Sequence, residues 1–250
     1  MSAAQGSPYG TQERQEECGT TIGRRNEHDV GMDALVMAHY PTAALLTVDT
    51  QVDTLAGQPL EIPGTSEVVP NIATLCRAFR EVERPIVHLV RFYREDGSNA
   101  EPLRRSLVSG PIPVLRPGTL GRLLAPGLTP DDAGDLDDDL LLSGGAQALG
   151  PTEVVIYKPR WGAFFETSLD QHLRSAAVDT VVVAGCNFPN CPRTSIYEAS
   201  ERDYRVVMVD DAVSGLYDVG RREMQNIGVA VLSTAQVLSE VQRVAGARTA

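Results

Sequence analysis

A chain of 250 residues, 42% of them apolar, can bury a sizeable core, and one globular domain is the default at that length. Its 33 acidic against 22 basic residues leave a formal charge of -11, which argues against nucleic-acid or anionic-membrane surfaces and for a small soluble partner. No run approaches the roughly 18 to 20 apolar residues of a membrane helix and the N-terminus lacks the apolar core of a secretory signal, so a cytoplasmic protein is expected.

Residues 1–38 are rich in Gly, Ser, Thr, Gln and charge, with no apolar period, and read as a flexible N-terminal arm ahead of a domain over 39–250. Ala43 to Val48 is a short apolar run that ends at Asp49. A helical pattern follows from about Thr65 to Arg84, with Val69, Ile72, Cys76 and Phe79 on one face, so Cys76 reads as core. Further apolar runs lie at Pro85 to Val90, Glu153 to Tyr157, Thr180 to Ala184, Arg205 to Val209 and Ala230 to Leu232, with helical patterns between most of them. Buried, β-branched runs alternating with amphipathic helices predict an α/β fold: three layers, αβα, around a mainly parallel sheet of about six strands.

Between the second and third runs, residues 91–150 carry Pro111, Pro113, Pro117, Pro126 and Pro130 and then an acidic cluster, Asp131, Asp132, Asp135, Asp137, Asp138 and Asp139. A connection this long reads as a lid-like insertion. The cluster has two readings, attraction of a cationic substrate or a solvated surface.

The four cysteines, Cys18, Cys76, Cys186 and Cys191, are too few for a disulfide scaffold and form no CxxC pair, and the four histidines are scattered singly. No metal and no cofactor is expected.

In an open parallel sheet the ligand crevice lies beyond the carboxyl ends of the strands. Three chemically apt residues follow such ends: Asp49 after the first run, Lys158 after the third, and Cys191 in the segment after the fourth. Singly, each has an ordinary explanation as a turn cap, a surface lysine or a buried thiol. Together they make a nucleophile, because a carboxylate takes the thiol proton and an ammonium favours the thiolate. Pro192 fits the first helical position, which makes Cys191 the expected N-cap at the positive end of a helix.

Leu45-Leu-Thr-Val-Asp49-Thr-Gln51-Val-Asp53, Lys158-Pro-Arg-Trp161-Gly-Ala-Phe164-Phe165-Glu-Thr167, and Gly185 followed six residues later by Cys191 resemble the isochorismatase-like cysteine hydrolases. The resemblance runs from about residue 43 to 240. It implies a parallel six-stranded sheet, an Asp49–Lys158–Cys191 triad, a cis peptide joining Cys186 to Asn187, and an oxyanion hole from the backbone N–H groups of Asn187 and Cys191. It also implies a homodimer or homotetramer. Two departures stand out: Phe188-Pro189-Asn190 precedes the thiol and Pro192 stands where the family has valine, while Thr54 stands where it commonly has phenylalanine.

The expected reaction is hydrolysis of a C–N bond in a small amide, ureide or lactam through a thioester on Cys191, with Asp49 as acid and base and Lys158 supporting the thiolate. Gln51, Tyr93, Trp161, Phe164 and Phe188 are the candidate substrate contacts, and Phe165 is expected to pack inward. Arg91 ends the second run beside Tyr93, whereas His88 reads as a satisfied core histidine. Residues 91–98 offer no histidine for the metal cluster of the nicotinamidase branch, and a cysteine at 191 speaks against the vinyl-ether chemistry of isochorismatase itself. A streptothricin-hydrolase-like lactam opening, a scaffold protein without activity, and a redox pair of Cys186 and Cys191 are the competing readings. Rapid alkylation of Cys191 relative to Cys76 is the expected mark of the hydrolase.

Overall fold

The computed structural model describes residues 34–248. Seven strands form one sheet: β1 (Ala43–Val48), β2 (Ile86–Val90), β3 (Ala146–Gly150), β4 (Glu153–Tyr157), β5 (Thr180–Gly185), β6 (Arg205–Val213) and β7 (Ala230–Leu232), in the spatial order β3-β4-β2-β1-β5-β6-β7. All neighbours are parallel except β3, which pairs antiparallel with β4. The six runs read from the sequence are six of these strands. The seventh, β3, lies inside the insertion, where a half-exposed Ala-Gln-Ala-Leu-Gly segment carries too little apolar signal to announce a strand.

The helices are α1 (Thr65–Glu81), α2 (Arg105–Val108), α3 (Asp138–Leu142), α4 (Leu169–Ser175), α5 (Cys191–Ser200), α6 (Asp218–Asn226) and α7 (Thr234–Arg248). Period-2 alternation in the central strands divides the core into two. Ala43 and Leu45 of β1 pack with Ile72, Cys76 and Phe79 of α1 and Val237 and Val241 of α7. Ala44, Leu46 and Val48 face Leu169 and Leu173 of α4, Ile196 and Ala199 of α5 and Met224 of α6. Both faces of the sheet are covered, which is why β1, β2 and β5 are buried at every position and read as continuous apolar runs. His88 fits this core because Thr47 and Glu153 take its two ring nitrogens, each at 2.7 Å, and Arg80 closes on the Glu153 carboxylate.

The insertion is a folded excursion with a small core of its own, in which Tyr93, Ala100, Val108, Val114 and Leu115 pack together. Its acidic residues are largely committed to structure. Asp135 and Asp138 hold Arg122, Asp138 also accepts from the Gly118 N–H, and Asp137 caps α3 through the Leu140 N–H. Of the arm expected over 1–38, residues 1–33 lie outside the described residues. Among the described residues no helix is long and apolar enough to cross a membrane.

The chain leaves β1 to build one half of the sheet and leaves β5 to build the other, so the switch point lies between these two adjacent strands. Gly185 ends β5 there with φ 125°, and a Cβ on it would overlap the Val48 backbone of β1. Gly185→Ala is therefore expected to cost about 3 kcal/mol, from backbone strain and strand separation together, read as a lowered urea midpoint.

Candidate active site

Asp49 is the first residue past β1, and its backbone turns sharply there, with φ 50°. Aspartate tolerates this left-handed conformation better than most residues, and the surroundings hold it. The Asp49 N–H donates to Leu89 O at 2.9 Å. Its carbonyl accepts from the Gln51 N–H at 3.0 Å and from the Cys186 thiol at 2.9 Å.

Lys158 follows β4 and is completely buried. Its ammonium donates to Asp49 Oδ2 at 2.8 Å and to the carbonyls of Arg160 and Trp161 at 3.1 and 3.2 Å. All three ammonium protons have an acceptor, and this is what makes a buried lysine tolerable. The Asp49 residue is only 6% exposed, and its second oxygen, Oδ1, is buried with no hydrogen-bond partner among the described residues.

Cys191 opens α5. The helix start lies one residue earlier than expected: Asn190 is the N-cap, Cys191 the first helical residue and Pro192 the second. The Asn190 N–H closes a turn onto Asn187 O at 3.0 Å, and Asn190 O accepts from the Thr194 N–H at 2.9 Å, so the turn and not the proline sets the boundary. Proline is tolerated at the second position because that N–H has no helical acceptor either. Ser195, one turn on, donates to Cys191 O at 2.7 Å and accepts from the Ala163 N–H at 3.1 Å, which ties the loop after Lys158 to the helix.

The structure corrects the expected cis peptide. Among the described residues every peptide bond is trans, Cys186–Asn187 included. The trans chain satisfies its flanks, with the Cys186 N–H on Val48 O at 2.9 Å and the Phe188 N–H on Ser214 O at 2.8 Å. The N–H groups of Asn187 and Cys191 donate to no partner among the described residues.

Cys191 is 5% exposed. Burial, and then the negative field of Asp49, push its thiol up to about 12, while Lys158 and Arg91 pull the other way without prevailing. The resting group is a neutral thiol facing a carboxylate, not a free thiolate. Cys76 is also pushed up to about 12, chiefly by burial, so the expected rapid alkylation of Cys191 in the free protein gives way to a different outcome. Iodoacetamide should modify Cys191 slowly at pH 7, and the rate should climb about tenfold per pH unit until the thiol titrates, which thiol-specific mass spectrometry can follow. Cys186, raised by burial and by Asp49, is spent on the Asp49 carbonyl and is a free thiol, not half of a disulfide.

The candidate substrate contacts divide. Tyr93 is buried at the end of β2, with Arg91 Nη2 donating to its hydroxyl at 3.1 Å and Arg104 Nη1 at 3.3 Å. Trp161 lines an opening of about 350 Å³ with Glu101, Leu103, Arg160, Gly162, Phe165, Thr194 and Glu198. Gln51 is not free for a ligand: its amide donates to Arg91 O and Arg122 O at 3.0 and 2.6 Å and accepts from the Arg91 N–H at 2.8 Å. Phe164 is also corrected, since it packs on Tyr204 with Arg202 over its ring. Phe188 is enclosed against Tyr217, Arg193 and Gly220. Phe165, expected inside, is 45% exposed at the opening. These aromatics stand in the right loops, but helix packing decided which way each points.

Sequence reasoning missed Glu101 and Arg104. Both lie in the insertion, where no periodicity marks them, and only the fold brings them to Tyr93 and Arg91. Asp53, at the end of the motif that begins with Asp49, has a structural role: its carboxylate accepts the Leu115 N–H at 2.6 Å and pins the insertion to the segment after β1. Among the described residues no group of three His, Cys, Asp or Glu side chains is placed to hold a metal ion.

Residues 145–239 match the Isochorismatase domain. The chain is 29% identical over 194 residues to a probable inactive nicotinamidase of Arabidopsis thaliana, covering 74% of this chain and 89% of that one. It is 30% identical over 174 residues to a maleamate amidohydrolase of Pseudomonas putida, covering 68% and 71%. The fold superposes with a TM-score of 0.68 on the crystal structure of an isochorismatase family protein from Desulfovibrio vulgaris, at 30% identity over 80% of this chain and 98% of that one.

Proposed function

Because the chain belongs to the isochorismatase-like hydrolase family, we propose that it hydrolyses the C–N bond of a small amide or ureide through a thioester on Cys191. The observation that carries this reading is the division of labour on Asp49. One carboxylate oxygen is fixed by buried Lys158, the other is buried with no hydrogen-bond partner among the described residues, and the charge of Asp49 raises the Cys191 thiol. An acceptor held in that way is placed to take the thiol proton as sulfur attacks.

In the proposed sequence the thiol proton passes to Asp49 while the C–S bond forms, and the carbonyl oxygen takes up negative charge. The N–H groups of Asn187 and Cys191, both without other partners among the described residues, are the assigned donors to that oxygen, helped by the positive end of α5. Asp49 then protonates the departing nitrogen, which leaves as ammonia or an amine. Water attacks the thioester, giving its proton to Asp49, and the carboxylic acid product leaves as the thiol is restored. Lys158 keeps Asp49 oriented through its 2.8 Å contact with Oδ2.

Maleamate amidohydrolase among the relatives fits this chemistry. The likeness to a probable inactive nicotinamidase makes turnover the first thing to measure. The test is ammonia release from a panel of small amides and ureides, by wild type and by Cys191→Ala. Release by wild type alone supports the reading, equal release by both overturns the role of Cys191, and no release by wild type gives the scaffold reading its place. The same reading carries a homodimer or homotetramer, which sedimentation checks.

A further inference from the structure

The candidate nucleophile and its cation reach the site on separate segments, Cys191 at the start of α5 and Lys158 after β4, so their spacing depends on what joins the two. The loop after Lys158 is that joint. Its carbonyls at Arg160 and Trp161 accept from the Lys158 ammonium at 3.1 and 3.2 Å. Two later N–H groups of the same loop turn the other way, onto α5: the Ala163 N–H donates to Ser195 Oγ at 3.1 Å and the Phe164 N–H to Glu198 Oε2 at 2.8 Å.

Ser195 is completely buried, and its hydroxyl donates to Cys191 O at 2.7 Å while accepting from Ala163. A serine inside a helix commonly returns its hydroxyl to the carbonyl one turn back. Here the same oxygen also receives a donor from outside the helix, so one side chain touches both the residue that carries the thiol and the loop that holds the ammonium. Glu198 stands three residues further on, which places it on the same face of α5. The approach at that point is close enough to require glycine, because a Cβ on Gly162 would overlap the Glu198 carboxylate. Gly162, Ala163 and Phe164 therefore meet α5 one after another, and all three are buried. Lys158 is one of the cations that favour the Cys191 thiolate against burial and Asp49, and that attraction weakens as the charges separate.

Resting on the amide-hydrolase reading above, we propose that Ser195 and Glu198 are positioning residues, whose hydroxyl and carboxylate lock the 160–164 loop to the nucleophile's helix and so fix the Lys158 ammonium relative to Cys191. Neither side chain makes or breaks a bond or carries a proton in the reaction. Both act through Lys158. The contribution of Ser195 is its hydroxyl and that of Glu198 is an acceptor oxygen for the Phe164 N–H, so a substitution that keeps those atoms keeps the function.

The test reads the thiol itself and needs no substrate. Alkylation of Cys191 by iodoacetamide at pH 9, followed by peptide mass spectrometry, reports its thiolate. Ser195→Ala and Glu198→Ala should each slow the reaction about threefold, because the thiolate fraction falls as the cation moves off. A role in stability alone gives the opposite sign, since a loosened site admits the reagent faster. Ser195→Thr and Glu198→Gln, which keep the hydroxyl and the acceptor oxygen, should alkylate close to the wild-type rate. Thr42→Ala, which breaks a contact with Asp179 at the opposite end of the sheet, should lower the urea midpoint and leave the rate alone. Alkylation of Ser195→Ala or Glu198→Ala at or above the wild-type rate overturns the proposal, and so does Glu198→Gln reacting as slowly as Glu198→Ala. Should Ser195→Ala fail to fold, the half-buried Glu198 pair of variants decides. On any amide of the panel that the wild type hydrolyses, Ser195→Ala should lower kcat about tenfold with little change in KM, the mark of a misplaced reacting group. The two readings fail separately: a panel without turnover removes the hydrolase and leaves the alkylation result standing, whereas turnover with unslowed alkylation in both alanine variants removes only the positioning role.

Discussion

Cys191→Ala is expected to lower turnover by at least about a thousandfold while leaving the fold intact. Removal of a covalent nucleophile takes away the whole two-step route, and only positioning and oxyanion stabilisation survive. The substitution itself is mild for the structure. It removes one sulfur from a buried position, and alanine is a good helix residue at the start of α5. Urea unfolding should therefore change by about 1 kcal/mol at most in either direction. Stopped or steady-state ammonia assays alongside that unfolding curve separate loss of chemistry from loss of fold. Cys191→Ser offers a further check: a hydroxyl is a far poorer nucleophile at this setting, so its turnover should stay close to that of the alanine variant.

The second large effect is expected in stability. Lys158→Ala removes a fully buried ammonium and strands the Asp49 carboxylate with neither of its oxygens paired, and it frees the carbonyls of Arg160 and Trp161. Breaking a buried ion pair from one side costs about 3–5 kcal/mol, because the remaining charge stays desolvated. Most of that cost comes from the orphaned charge, so the double replacement Lys158→Met with Asp49→Asn should recover much of it. The double variant should nonetheless be inactive, since neither the proton acceptor nor its orienting cation is present. Urea midpoints for wild type, Lys158→Met, Asp49→Asn and the double variant give the coupling directly. A fully additive cycle would mean that the pair contributes nothing to holding the site together.

Much of this arrangement was readable in the chain. Six apolar runs, three of them buried at every position, read as strands of a covered parallel sheet, and the rule that ligands gather beyond carboxyl ends selects Asp49, Lys158 and Cys191. The fold brings Asp49 and Lys158 into a buried ion pair and buries Cys191 as well. Phe164, Phe188 and Gln51 stand near these residues in the chain, yet each is turned into packing or backbone contacts. A residue's place in a loop does not fix the side from which its ring is covered. The start of α5 moved by one residue because a turn closed by Asn187 and Asn190 outweighed the preference of proline for the first helical position.

The sequence by itself determined the layered α/β class and six of the seven strands, and singled out Asp49, Lys158 and Cys191 as candidates, because hydrophobic periodicity and chain order are properties of neighbours along the chain. Only the tertiary structure decided the upward shift of the Cys191 thiol, the commitment of Asp135 and Asp138 to Arg122, and the meeting of Arg91 and Arg104 at the Tyr93 hydroxyl. Each depends on burial and on charges brought together from distant segments. Desolvation and Coulomb energy are set by distance in space, which no spacing in the chain specifies.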